Sequence, residues 1–468
     1  MKEKEQNEFE ITRGMYITVR LLALALCLLM LFFIGRGAIH FCLGLFADGD
    51  HLVKFPGQGS PVISMENLNA KPKPVYIDPS QRVEIARADF TVAGDMMLHL
   101  PIVRTSAVAD GYVFDDIFTY VKPYLAAADY AAANLETTLS GTDGREYTGF
   151  PNFNSPDQFA LGAQSAGFDL LLTGNEHCYD YGTDGLQRTL STLKDYGLDS
   201  LGTVESREQS RHMVKNINGI KVGMACYTFA DIDENGNVTV NNLTTDSTSA
   251  GLINAFDYDK LSQFYTEVEG EIASMKANGA DTILLFIHWG DELTTNVSDD
   301  QRAIAQKLCD LGVDVVAGSH PHVVQPIDLL TSSVDPEHKM LCLFSAGNFL
   351  SNQRADNISL TTGHSEDGVL FTFALSKYND GSVRVNAVNL LPTWILVKGS
   401  DENRDFYILP LNQGVTDWKS AYNLSDEQLS EAKNSYNRTM SLVTSGLNKI
   451  VSYLSEKNAE LNPALGVG

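Results

Sequence analysis

Basic residues are scarce in this chain. Only 34 Lys and Arg stand against 59 Asp and Glu over 468 residues, a formal net charge of −25, which excludes sequence-independent attachment to nucleic acid or anionic lipid through a basic face. Cysteine is also sparse. Cys27, Cys42, Cys178, Cys226, Cys309 and Cys342 form no CxxC pair and no metal-ligand spacing, so neither a disulfide framework nor a zinc knuckle is expected. There is no GxxxxGKS/T loop to cradle phosphate, no internal repeat and no low-complexity tract. What remains is a chain whose 44% hydrophobic content suffices for a sizeable core, in one large domain or two smaller ones.

The longest apolar run lies near the N-terminus. Residues 17–34 read ITVRLLALALCLLMLFFI, uncharged from Leu21 to Gly35, and a second apolar patch runs from Ala38 to Phe46. This is membrane-inserting material, and Arg20 can snorkel so that Ile17 to Val19 join the span of roughly 30 Å of hydrocarbon. With Lys2, Lys4, Arg13 and Arg20 ahead of it, segment 17–46 reads as a signal anchor. It would keep residues 1–16 as a cytoplasmic tail and send the rest outside, as a single-pass cell-membrane protein with its main domain extracellular. A cleaved signal peptide, for which the small-x-small site is poor, and a buried core helix are the alternatives. Residues 47–87 carry Pro56, Pro61, Pro72, Pro74 and Pro79 without a sustained apolar period and read as a Pro-rich stalk.

Beyond the stalk, short apolar runs (FTVAGD, YAAANLE, FDLLLTGN, KVGMACYTF, TILLFIHWG, VDVVAGSH, MLCLFSAGN, VLFTFAL) alternate with helical stretches, which predicts an α/β domain over 88–411. Ser155-Pro156 opens one helix near Gln158–Ala166, and Ser298 opens another before Ala303–Leu311. In a helical extension over 412–468, Ser425 and Gln428 form a capping box. Tyr436, Met440, Val443, Leu447, Ile450 and Leu454 follow at spacings of four and three, an amphipathic helix that packs on the domain rather than forming a separate coiled coil.

Polar residues gather where the apolar runs end, the place where parallel strands open a ligand crevice. They are Asp95, Asn134 and Glu136, Asn175, Glu176 and His177, His288 and Glu292, His320 and His322, and Asn348. Carboxylate, imidazole and amide together suit a divalent ion such as Mn²⁺, Fe²⁺ or Zn²⁺. Two such ions acidify water and neutralise charge during attack on phosphorus or a carbonyl, while a histidine protonates the leaving group. Each element also has a plainer reading. Asp95 is the type of residue that caps a turn, His288 sits beside Trp289 as a core histidine would, and His177 precedes a turn containing Asp180. Cys178 lacks any nucleophile turn. His320-Pro321-His322 is more specific, because imidazoles two residues apart on an extended segment point to one side.

Taken in order, GDMML (94–98), NLE (134–136), NEHCYDYG (175–182), HWGDE (288–292), GSHPHVVQ (318–325) and SAGNF (345–349) resemble the motif series of the CapA family of poly-γ-glutamate capsule biosynthesis proteins, over roughly residues 88–395. The resemblance implies a fold similar to calcineurin-like metallophosphoesterases, a four-layer α/β/β/α sandwich. It implies Asp95, Glu176, His288, His320 and His322 as metal ligands and His177 as the acid. The strand-end reading adds Glu136 to the metal set, Glu292 as a second catalytic candidate, and Asn134, Asn175, Asp180 and Asn348 as residues that shape the site. Two departures stand out: the first motif lacks the DxH histidine, and Glu176 replaces an asparagine. The resemblance further implies a role in making, exporting or anchoring poly-γ-glutamate, with other membrane subunits of that machinery and the anionic polymer as partners; the acidic composition speaks against nucleic acid as a partner. Two functions are compatible with this: a metal-dependent hydrolase or transferase, or a non-catalytic assembly subunit that holds the polymer through a bound cation.

Overall fold

A computed structural model describes residues 82–400 and 404–461. The tail, the anchor read at 17–46 and the stalk as far as residue 81 lie outside the described residues. Among those described, no helix is long and apolar enough to cross a membrane.

The chain builds part of one sheet, leaves it for a second, and returns. It first lays down β1 (Glu84–Met96), β2 (Tyr130–Leu135), β3 (Leu170–Leu172) and β4 (Asp199–Leu201), with helices α1 (Gln158–Ala166) and α2 (Gly182–Asp195) between them. The second sheet follows as β5 (His212–Ile217), β6 (Ile220–Phe229), β7 (Ala255–Phe256), β8 (Thr282–His288), β9 (Val315–Ser319), β10 (Ile327–Thr331) and β11 (Lys339–Leu343), crossed by α3 (Leu261–Ala277) and α4 (Asp299–Asp310). The return adds β12 (Asn348–Leu350), β13 (Asp367–Tyr378), β14 (Val383–Lys398) and β15 (Asp405–Pro410) before α5 (Asp426–Leu461). The strand orders are β15-β14-β13-β1-β2-β3-β4, with β12 beside β1, and β7-β6-β8-β9-β11-β10, with β5 beside β6. β1 to β4 run parallel to one another, as do β6, β8, β9 and β11, so both sheets present strand C-termini along one rim.

Strand alternation explains the layering. In β1, Phe90 and Val92 face one way while Ala93 and Met96 face the other; in β8, Leu284 and Phe286 oppose Ile283, Leu285 and Ile287. The first set from each sheet forms one shared core between the sheets. The outer face of the first sheet packs against Phe159, Ala160 and Ala163 of α1, and that of the second against Phe264, Val268 and Ile272 of α3 and Ile304 and Leu308 of α4. The order is therefore helix, sheet, sheet, helix, an α/β fold.

Four local details refine the sequence reading. β1 begins at Glu84, inside the stretch read as stalk: Glu84 accepts from Ser376 and Asn386, and Arg87 bonds Asp89 on the same strand, polar contacts that apolar patterning does not register. α1 is preceded by Asp157 without a side-chain cap, whereas Ser155 bonds Thr137. Ser298 and Gln301 form a complete capping box at α4, and Ser425 and Gln428 exchange the equivalent bonds ahead of α5. The apolar stripe of α5 enters the core between the sheets through Val443, Ile450 and Leu454. Gly446 permits that approach, since a Cβ there would lie 1.6 Å from the carbonyl oxygen of Ile327.

Candidate metal centre

The rim where the two sheets end carries the buried polar cluster. Asp95 sits near the end of β1 beside Asn348 of β12, its backbone amide donating to Gly347 at 3.0 Å. This approach requires Gly94, because a Cβ at that residue would lie 1.9 Å from the Gly347 oxygen. Asn134 is the penultimate residue of β2 and Glu136 follows the strand; the short helical turn Glu176–Tyr179 follows β3, with Asn175 as its N-cap accepting from the amide of His177. From the second sheet, His288 ends β8, and His320 and His322 follow β9.

Side-chain contacts knit the two sheets together here. Asn134 Nδ2 donates to Asp95 Oδ1 at 2.9 Å and Glu136 Oε2 at 3.0 Å, and Asn175 Nδ2 donates to Asn134 Oδ1 at 3.0 Å. His322 Nδ1 lies 3.1 Å from Asp95 Oδ2, and its Nε2 lies 3.4 Å from Glu136 Oε1. His320 Nδ1 lies 2.9 Å from Glu176 Oε1 and 3.2 Å from His288 Nε2, and His288 Nε2 also pairs with Glu176 Oε2. His177 Nδ1 bonds Asp180 Oδ2 at 2.8 Å.

His320 and His322 are not on an extended segment, contrary to the sequence reading. Both occupy the left-handed region, at φ 94° and 55°, because the chain turns sharply once β9 ends at Ser319. Such conformations cost about 1–3 kcal/mol each and persist where the surroundings hold them. Here the His320 amide donates to Asp95 Oδ2 at 3.3 Å and Phe229 packs on the His320 ring at 4.7 Å.

Burial is nearly complete for Asp95, Glu136, His288 and His322, and the charges perturb one another. Burial raises the Asp95 carboxyl, but His322 outweighs it and holds Asp95 below its usual value. Burial, then the charges of Asp95 and Glu176, drive Glu136 well above the usual carboxylate range. Glu176 is held well below that range because His288 and His320 overcome burial. His320 is raised by Glu176 against the effect of burial, whereas burial prevails at His288 and lowers it. Burial lowers His177, but its hydrogen bond to Asp180 and the charges of Glu176 and Asp180 together overcome burial and raise it.

A cation fits this donor set. Glu136 Oε1 is buried with no hydrogen-bond donor, an expensive state for a carboxylate oxygen. Three groups each bring ligand atoms within 4.8 Å of one another: Asp95, Glu136 and His322; Glu136, Glu176 and His177; and Glu176, Glu292, His320 and His322. The groups overlap at Glu136, Glu176 and His322, so their ligand atoms form one continuous cluster. Glu292 is exposed and belongs to the mouth of this cluster. Asn348 is adjacent to Asp95 in the sheet, but its amide nitrogen bonds away from the centre, to Ser365 O and Gln353 Oε1, both at 2.9 Å. Cys178 is buried with its thiol pushed far up by burial, a poor nucleophile.

Four neighbours escaped the sequence reading. Ser319 Oγ lies 2.8 Å from His288 Nδ1 and fixes that ring; it stands inside the GSHPH motif, where its position was visible but its role was not. Phe229 ends β6 under His320. His99, pushed down to about 4 by burial and then by the charge of His322, meets Phe153 edge to face. Asn241 reaches Asp180 from a hairpin remote in sequence.

Fold, motif order and site converge on one class. The chain belongs to the family described as bacterial capsule synthesis protein PGA_cap, whose profile matches residues 89–353, and thus to the CapA capsule biosynthesis proteins. It is 26% identical over 298 residues to "Capsule biosynthesis protein CapA" of Bacillus anthracis, covering 62% of this chain and 67% of that one. It is 25% identical over 279 residues to "PGA biosynthesis protein CapA" of Bacillus subtilis (strain 168), covering 59% and 65%; the chain thus spans about two thirds of the length of these relatives. A sulfate thiohydrolase, SoxB, solved in complex with glycerol, aligns at 13% identity and a TM-score of 0.31 over 67% of this chain and 42% of its own.

Proposed function

We propose that this protein is a membrane-anchored, extracytoplasmic member of a capsule-polymer machinery, carrying a metallophosphoesterase-like, metal-dependent hydrolase site that acts on poly-γ-glutamate or on an ester of its assembly. The observation that carries the reading is the buried convergence of Asp95, Glu136, Glu176, His288, His320 and His322 from both sheets around a carboxylate oxygen without a donor. The apolar run at 17–46 supports the anchor. The names of the Bacillus relatives support the capsule role, and the second of them supports the polymer.

Asp95, Glu136, Glu176, His288, His320 and His322 would hold one or two divalent ions, with Mn²⁺, Fe²⁺ and Zn²⁺ suiting the mixed donor set. When bound, such ions supply positive charge that acidifies water and draws electrons from a phosphoryl or carbonyl oxygen. The protein's own groups do the rest. Asn134 orients Asp95 and Glu136, Ser319 orients His288, and His177, backed by Asp180, exchanges a proton with the leaving group. Glu292 stands at the solvent side of the cluster, placed to handle protons of an incoming substrate.

The test is elemental analysis of the full-length protein in detergent, paired with hydrolysis of a chromogenic phosphodiester with and without added Mn²⁺. Stoichiometric metal, with turnover lost in His320→Ala, is the expected result. Absence of both metal and turnover would replace this reading with that of a polymer-holding assembly subunit, as would normal capsule output from His177→Ala cells.

A further inference from the structure

One amide enters the cluster from outside both sheets. Between β6 and β7 the chain forms a small three-stranded sheet, Asp231–Ile232, Val238–Val240 and Leu243–Thr244. Val240 pairs with Leu243, so Asn241 and Asn242 are the two-residue tip of a hairpin, and both are left-handed, at φ 45° and 61°. This mirror-image turn matches strand twist, and asparagine tolerates it. Asn242 is exposed. Asn241 instead turns inward, its Nδ2 donating to Asp180 Oδ1 at 2.7 Å and to the Pro151 carbonyl at 2.8 Å while lying 3.3 Å from His177 Nδ1.

Proton counting decides what these contacts do. An asparagine amide has two protons, and here one goes to each oxygen, leaving none for His177 Nδ1. That nitrogen therefore donates its own proton to Asp180 Oδ2. The same carboxylate oxygen accepts from the Phe153 amide at 2.6 Å, and the Phe153 ring meets the imidazole edge to face at 4.7 Å. Asp180 is thus clamped through both oxygens, and Nε2 is the nitrogen of His177 left for a substrate.

We propose that Asn241 is a positioning residue: by clamping Asp180, it holds the His177 ring in the one orientation and tautomer that presents Nε2 to the reacting group. This inference rests on the hydrolase reading above and names the element that sets its acid. The hairpin thereby makes the proton donor of the site dependent on a segment that belongs to neither main sheet.

The experiment compares Asn241→Gly with Asn242→Gly in full-length protein with Mn²⁺. Glycine keeps the left-handed turn in both, but only the first removes the inward amide. Turnover is measured on two phosphodiesters, one with a 4-nitrophenol leaving group and one with an alkyl alcohol that leaves poorly without a proton. Asn241→Gly is expected to lower kcat by about 10- to 100-fold on the alkyl ester, with KM unchanged and a smaller loss on the nitrophenyl ester, while Asn242→Gly matches the wild type. Equal losses on both esters, or equal losses in both variants, would overturn the proposal in favour of a purely structural hairpin. If the wild type turns over neither ester, the hydrolase reading itself fails. The positioning role is then read from the imidazole nitrogen NMR signals of His177 in metal-stripped protein, where a changed tautomer pattern in Asn241→Gly upholds it and an unchanged pattern overturns it.

Discussion

The protein buries acidic charge in two regions and balances it differently in each. Beneath α5, Asp367 is met by Arg438 through two hydrogen bonds of 2.8 Å, a planar fork on a carboxylate. At the strand ends, Asp95, Glu136 and Glu176 have no lysine or arginine ion pair among the described residues; the groups that face them are the imidazoles of His288, His320 and His322. A guanidinium is permanently charged and consumes both oxygens of its partner. Imidazoles are adjustable and leave Glu136 Oε1 without a hydrogen bond. The first arrangement holds its counter-charge within the protein, and the second leaves room for a cation.

Breaking the second region produces the largest effect. Asp95→Ala or His320→Ala is expected to reduce metal content below stoichiometry and turnover to background while the protein stays folded, as elemental analysis, ester hydrolysis and circular dichroism would register together. In the first region the cost falls on stability. Arg438→Ala strands a buried carboxylate and should lower unfolding free energy by roughly 3–5 kcal/mol, read as a shift in the denaturant midpoint, with catalysis per folded molecule unchanged.

The Asp367 pair also has a pH signature. Burial raises the Asp367 carboxyl from 3.8 to about 6 despite Arg438, while Arg438, which burial lowers, is held above its usual value by Asp367. The guanidinium gains from the contact, but the carboxylate's desolvation exceeds what it receives. Between pH 3.8 and about 6 the folded state keeps a proton that the unfolded state has lost, so the contribution of Asp367 to stability falls as pH rises through that window and is constant above it. The decline amounts to about 3 kcal/mol, and denaturant midpoints of the wild type minus those of Asp367→Asn, measured from pH 4 to 7, should trace it. A flat difference would mean that Arg438 fully offsets the burial.

The smallest effect sharpens the contrast most directly. Glu136→Gln keeps the shape but removes the cost of burying an ionisable carboxyl among Asp95 and Glu176, so in chelator-treated protein it should raise unfolding free energy by roughly 1 kcal/mol, while in metal-supplied protein it should weaken metal retention. An isosteric change that stabilised the protein in both conditions would sink the idea that Glu136 serves a cation.

Much of the strand-end set could be read in advance because short apolar runs alternating with helices reveal an α/β chain, and parallel strands deliver their following residues to one edge. Asp95, Glu136 and His288 were legible for that reason, and the stripe from Met440 to Leu454 was legible from its period. The polar opening of β1 at Glu84 was not, because hydrogen bonds to Ser376 and Asn386 leave no apolar trace. The left-handed turns at His320 and His322 were not, because a His-Pro-His segment is compatible with extension until Asp95 and Phe229 hold it otherwise. Asn241 was hidden for a third reason. An Asn-Asn pair between two short runs signals a turn, but nothing local says that its amide will reach Asp180, 61 positions away.

Local pattern along the chain is enough to reveal which chemistry is available: an acidic chain, an α/β alternation, a run suited to a membrane, and carboxylates and imidazoles set at strand ends. Which of them meet is settled by packing in three dimensions. Pairing within a sheet is written in alternation, but the facing of two sheets across a shared core, and the arrival of a remote hairpin at His177, follow from packing between segments far apart in the chain, where no local periodicity carries information.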